Sequence, residues 1–141
     1  MTTVPQRLLQ HYQEQPERLC VRLLHNRQPE QTLTYRQLMH GAAGYARALA
    51  KAGIQPGEVV ILILQHGEAL INAFFGAILY GAVPSIMPFL TEKLSPEQYR
   101  RSLAALFEIT APAAVVTYPE FRGEVQQAIQ PGGSVRAVIE S

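Results

Sequence analysis

The chain has 141 residues, 48% of them hydrophobic and only 16% charged, with a formal net charge of +1. That length is one domain's worth of chain or one piece of a larger enzyme, and the charge content falls below the roughly 25% usual for a soluble domain. All eleven acidic residues are Glu, which excludes an aspartyl phosphoacceptor, an Asp-ligated EF-hand and an aspartic dyad.

The first residues, Met1 to Arg7, are polar and lack the apolar run of a secretory signal, so a cytoplasmic location is expected. Val4 to Gln15 reads as a short helix ending near Pro16. Leu19 to Leu24 and Thr32 to Thr34 can pair as a hairpin around His25-Asn26-Arg27-Gln28-Pro29. Thr34-Tyr35-Arg36-Gln37 is a capping box that opens a helix with Leu38, Ala42, Tyr45, Ala46 and Leu49 on one face. That helix ends with Lys51, then Gly53 as a left-handed cap and Pro56-Gly57 beyond it. Gly41 and Gly44 inside it each cost about 1 kcal/mol relative to Ala. Such a cost points to close packing against a neighbour, or else to poor local chemistry.

From Val59 onward short apolar runs alternate with helical periods. Val59 to Leu64 is six consecutive aliphatics, the pattern of a strand covered on both faces. Glu68 to Tyr80 carries a helical stripe of Leu70, Ile71, Phe74, Phe75 and Ile78, stopped by Gly81, and Val83 to Met87 reads as a second strand. The segment from Ala69 to Thr91 holds no charge, but Pro84 and Pro88 divide it, so it is read as a buried helix and strand rather than a membrane span. Ser95-Pro96-Glu97-Gln98 opens the next helix, with Tyr99, Leu103, Leu106 and Phe107 as its stripe and a stop before Pro112. Ala113 to Thr117 is a third strand, Pro119 to Ile129 a third helix of this series, and Val135 to Ile139 a last apolar alternation. The expected fold is therefore α/β: a mainly parallel sheet from βαβ crossovers with helices on both faces, preceded by a helix and a short hairpin. Residues 1–34 are expected to form the helix and hairpin, and 35–141 the crossover layer.

Little chemistry is visible. Neither Lys51 nor Lys93 lies in a phosphate loop. The ten Arg are scattered, which leaves no footprint for nucleic acid. Cys20 is the only cysteine, so an internal disulfide and a Cys-rich zinc site are excluded, and its apolar strand suggests a core thiol. His11, His25, His40 and His66 stand far apart, with no metal-ligand spacing. Ser85 has no nucleophile elbow, and Gly132-Gly133 lies in a plain turn. Ligands of an open α/β sheet bind at the carboxyl ends of the strands, here the loops Gln65-His66-Gly67, Pro88-Phe89-Leu90-Thr91 and Tyr118. His66 is the one side chain there suited to acid–base work near neutrality, or it simply helps to close the turn. Phe89 and Leu90 would line an apolar pocket or lie beneath a lid.

Four segments resemble one family. Leu33-Thr34-Tyr35-Arg36-Gln37-Leu38 is similar to the L-[ST]-Y-x-[EQ]-L opening of the AMP-forming, acyl-adenylate-forming ligases, which include acyl-CoA synthetases, fatty acyl-AMP ligases, luciferases and peptide-synthetase adenylation domains. Ala46 to Glu58 resembles the family's helix-plus-turn, with Glu58 where Asp is commoner. Phe74 to Pro84 with Pro88 resembles the next core segment, with Tyr80 near a position that is Lys or Tyr, often Tyr in fatty-acyl members. Ala111 to Val116 resembles the strand that closes this crossover series.

The resemblance covers essentially the whole chain, with the four segments in the family's order. It implies a larger ligase that activates a carboxylic acid, here a fatty acid, with ATP and Mg²⁺ and passes the acyl-AMP to coenzyme A or a carrier-protein thiol. The phosphate loop, the aspartates and the catalytic lysine of such ligases would lie downstream, so the chain is expected to be an N-terminal subdomain ending before the active site. No catalytic residue, metal ligand or cofactor of its own is expected; His66, Gly67 and Phe89 are candidates for one wall of an acyl pocket. Expected partners are the rest of the ligase and an acyl carrier protein, with self-association through an exposed apolar seam. The alternatives are a self-standing flavodoxin-like binding module, or an interaction domain that docks through its uncharged surface.

Overall fold

The computed structural model describes residues 2–24, 27–88 and 95–141. In chain order it contains α1 (Val4–Glu14), β1 (Leu19–Leu23), β2 (Gln31–Thr34), α2 (Tyr35–Lys51), β3 (Val59–Ile63), α3 (Glu68–Tyr80), β4 (Val83–Ile86), α4 (Pro96–Thr110), β5 (Ala114–Thr117), α5 (Arg122–Ala128) and β6 (Ala137–Glu140). A 3-10 turn, Pro119–Phe121, leads into α5.

At the starts of α1, α2 and α4, side chains do the work that backbone acceptors do elsewhere. Thr34 Oγ1 accepts from Gln37 N–H at 3.2 Å, while Gln37 Oε1 accepts from Thr34 N–H at 2.8 Å. Thr3 and Gln6 form the same reciprocal pair at α1, and Ser95 Oγ accepts from Gln98 N–H at α4. At the other end of α2, Gly53 has φ +77°, a conformation glycine enters without the Cβ penalty of other residues.

Strands β4, β3, β5 and β6 form one parallel sheet in that order. The connection β3–α3–β4 runs to one side of β3, and β4–α4–β5 crosses back over it. With right-handed crossovers the two helices must lie on opposite faces, and they do. Val60 and Leu62 pack with Leu70, Ala73 and Ala77 of α3 and Leu49 of α2, whereas Ile61 and Ile63 pack with Tyr99, Leu103 and Phe107 of α4 and Val125 of α5. The period-2 alternation of one aliphatic run thus feeds two cores. Val60, Ile61, Leu62 and Ile63 are all fully buried, a burial that stabilises by about 1.5–3 kcal/mol per side chain.

The hairpin of β1 and β2 is antiparallel and its register slips between Leu19 and Val21, at Cys20. Its predicted turn residues His25 and Asn26 lie outside the described residues. Gln31 Nε2 donates to Glu68 Oε2 at 2.7 Å and ties the hairpin to the start of α3. Cys20 is half-buried; burial pushes its thiol pKa up, against a hydrogen bond with Tyr35. Among the described residues no helix is long and apolar enough to cross a membrane.

The two glycines of α2 differ. A Cβ on Gly41 would meet the buried amide of Asn72 on α3, 2.3 Å from Nδ2, whereas one on Gly44 would meet nothing within 4 Å. Close packing therefore accounts for Gly41 and not for Gly44.

Candidate functional site

The order β4-β3-β5-β6 reverses direction between β3 and β5: one crossover from β3 leads to β4, and the later strands lie on the other side. In sheets of this kind the crevice opens outside the carboxyl ends of that central pair. Thr117, fully buried at the end of β5, donates from Oγ1 to the Ile63 carbonyl oxygen at 3.0 Å. This bond holds the two strand ends together at the floor of the crevice.

Aromatic rings pack beneath one side of the crevice. Tyr118 follows Thr117 and stacks on Phe121 with ring centroids 5.5 Å apart. Phe121 meets Tyr99 of α4 edge-on at 5.3 Å. The Tyr99 hydroxyl donates to the Pro88 carbonyl oxygen at 2.6 Å, which pins the chain leaving β4 to α4. Burial, reinforced by Tyr118, pushes the Tyr99 pKa up to about 12. Burial and the nearby Glu120 also raise that of Tyr118. Both phenols stay protonated near neutrality, and the core-buried Tyr99 uses its proton to donate to Pro88.

The opposite side is the β3–α3 turn. Leu64 is buried, Gln65 and His66 are exposed, and Gly67 is half-buried immediately before α3. The predicted pair His66 and Gly67 thus stands together at the carboxyl end of β3. The third predicted residue, Phe89, lies outside the described residues, as do Leu90 and Thr91. Thr117 and the Tyr99–Phe121 contact did not emerge from the sequence, because each depends on residues brought together across the sheet.

A cavity of about 270 Å³ lined by Phe107, Ala111, Ala128, Ile129, Ser134 and Val135 lies at the amino ends of β5 and β6. It is therefore separate from the crevice. The described residues of the crevice loops (64–67, 87–88 and 118) include no Lys, Arg, Asp or Glu, and no three His, Cys, Asp or Glu among the described residues could hold a metal ion. These residues do not fit a triphosphate with Mg²⁺, which requires cations or backbone N–H cradles and oxygen ligands.

The family model for AMP-binding enzymes matches residues 8–137. The chain belongs to the AMP-binding enzyme family. Among curated proteins it is 33% identical over 82 residues to a 2-succinylbenzoate–CoA ligase of Geobacillus kaustophilus (strain HTA426), a match that spans 58% of this chain and 16% of that ligase. Its fold is similar to that of a benzoate CoA ligase from Burkholderia xenovorans LB400, with TM-score 0.73 and 20% identity over 100% of this chain and 26% of the other. It is equally similar to a fatty acyl-adenylate ligase from L. pneumophila in complex with acyl adenylate and pyrophosphate, with TM-score 0.73 and 21% identity over 94% of this chain and 22% of the other. This member of the AMP-binding family therefore spans well under half the length of the relatives it matches. The four resembling segments fall on α2 with its entry strand, the α2–β3 turn, α3 with β4, and β5.

Proposed function

We propose that residues 1–141 act as the N-terminal subdomain of an AMP-forming acid–thiol ligase, with the helix and hairpin of 1–34 braced against the crossover layer of 35–141. The observation that carries this reading is the family match over 8–137 on a sheet whose strands run in the order β4-β3-β5-β6. The whole enzyme would use ATP and Mg²⁺ to convert a carboxylic acid into its acyl-AMP and pass the acyl group to coenzyme A or a carrier-protein thiol, in the cytoplasm. The likeness to a fatty acyl-adenylate ligase supports a fatty acid as substrate, and the curated relative supports coenzyme A as acceptor.

Within that enzyme His66, Gly67 and Phe89 would contribute to one wall of the acyl pocket. Adenylation requires cationic donors and a metal aimed at the charge that develops on the α-phosphate. The described residues of this crevice do not supply them, and the chain alone is expected to be non-catalytic. ATP–pyrophosphate exchange with a panel of fatty and aromatic acids tests this. Exchange at the no-protein background is the expected result, and acid-dependent exchange by the purified chain would contradict it.

A further inference from the structure

The β3–α3 turn at the crevice is held on both flanks by residues distant in sequence. On one flank, the carbonyl oxygen of Ile63 at the end of β3 accepts from the Thr117 hydroxyl at 3.0 Å. On the other, Oε2 of Glu68, the first residue of α3, accepts from Gln31 Nε2 at 2.7 Å, across 37 positions of chain. Leu64, Gln65, His66 and Gly67 lie between these two anchors.

The second anchor stands where the other long helices have a cap. Thr3, Thr34 and Ser95 fix the entries of α1, α2 and α4 through their side chains, but the N-cap of α3 is Gly67, which has no side chain to do so. The bond from Ile71 N–H to Gly67 O that opens the helix is long, at 3.3 Å.

Gln31 is an unusual residue for its place. Strand alternation puts it on the same face of β2 as the buried Leu33. An inward face of an antiparallel pair ordinarily takes apolar side chains, yet here an amide directs a donor at the Glu68 carboxylate. Both partners are half-buried, so water competes less than at a surface pair, and a bond to an ionised acceptor is of the stronger kind. Tyr45 of α2 feels the same carboxylate: burial and then the Glu68 charge raise its phenol pKa. Glu68 is thus the point at which β2, α2 and α3 meet, next to Gly67.

We propose that Gln31 and Glu68 form a positioning pair through which the hairpin sets the His66–Gly67 turn, and with it the fit of the carboxylic acid in the crevice. Such a role presupposes the acid–thiol ligase reading given above. The pair acts through the turn and not on the acid itself.

Gln31→Met keeps the length of the side chain and deletes the donor, while Gln31→Glu sets a second carboxylate against the first. Gln31→Glu combined with Glu68→Gln exchanges donor and acceptor, so the bond re-forms in the opposite sense. In the 141-residue chain, each single variant should speed amide exchange at Ile71 about tenfold and leave that of Gly81, at the far end of α3, unchanged. The activity arm places residues 1–141 in the matching region of a 2-succinylbenzoate–CoA ligase. There each single variant should raise KM for the acid about tenfold with kcat and KM for ATP unchanged, and the double variant should return both exchange and acid KM toward the parent. A merely structural bond would lower the folded fraction, and so kcat, without moving either KM. An active chimera whose acid KM ignores the single variants overturns the positioning pair and leaves the ligase reading intact. Unchanged exchange at Ile71, or a double variant that does not restore acid KM, does the same. A chimera whose unsubstituted form makes no adenylate with any acid overturns the ligase reading and the pair together.

Discussion

Gly76 of α3 lies so close to Ala42 of α2 that a Cβ at position 76 would stand 2.6 Å from the Ala42 carbonyl oxygen and 2.7 Å from the Tyr45 Cβ. Both obstacles are backbone or stem atoms, so neither can rotate away. Placing Ala in a helix is worth about 1 kcal/mol over Gly, but overpacking a tight contact costs about 1–3 kcal/mol, and here the second effect wins. Gly76→Ala is expected to lower unfolding stability by about 1–3 kcal/mol. Gly44→Ala, in open space on α2, should raise it by up to about 1 kcal/mol. Urea unfolding of the two variants checks the pair; equal or reversed effects would show that α2 and α3 are not packed at this distance.

The buried Thr117 hydroxyl tests whether the two central strands are tied at the crevice floor. Thr117→Val keeps the shape and deletes the donor to Ile63 O. A neutral hydrogen bond of this kind is worth about 0.5–1.5 kcal/mol, and that loss is expected in denaturant unfolding. A valine variant as stable as the parent would remove Thr117 from the account of the switch point.

Acid should find the opposite end of the sheet. Glu58 accepts from both Nη atoms of Arg136, and its carboxylate also accepts from Gln55 N–H at 2.7 Å. The Arg136 hydrogen bonds and then the Gln55 bond lower its pKa from the ordinary 4.5 to about 2. A carboxylate depressed in the folded state stabilises fully above its unfolded pKa, and that contribution disappears as pH falls through the folded value. The chain should therefore lose stability between pH 4.5 and about 2 more steeply than Glu58→Gln does. Parallel pH profiles for the two proteins would contradict the pairing.

Much of this fold is legible in local chemistry. The aliphatic run 59–64 announced a strand covered on both faces, and the alternation of Val60 and Leu62 against Ile61 and Ile63 is what divides the two cores. The capping box at Thr34 and the glycine at 53 marked the ends of α2. Other features need the third dimension. Pro119 to Ile129 read as one helix, but Phe121 is drawn inward between Tyr99 and Tyr118, so the segment begins as a 3-10 turn and α5 starts only at Arg122. Nothing local distinguishes Gly41 from Gly44, because the difference is Asn72 on another helix. The candidate site was legible only as a place. His66 and Gly67 fall at the strand tips as expected, while the Thr117 bond and the ring contacts join positions far apart in sequence.

The most direct test of the proposed role is a chimera in which residues 1–141 replace the matching region of a 2-succinylbenzoate–CoA ligase, assayed for acyl-AMP formation from ATP and acid. A folded chimera that forms acyl-AMP, with the isolated 141-residue chain at background, is the predicted result. A folded chimera that binds ATP but forms no adenylate with any acid would contradict the assignment of this chain as a working subdomain of such a ligase.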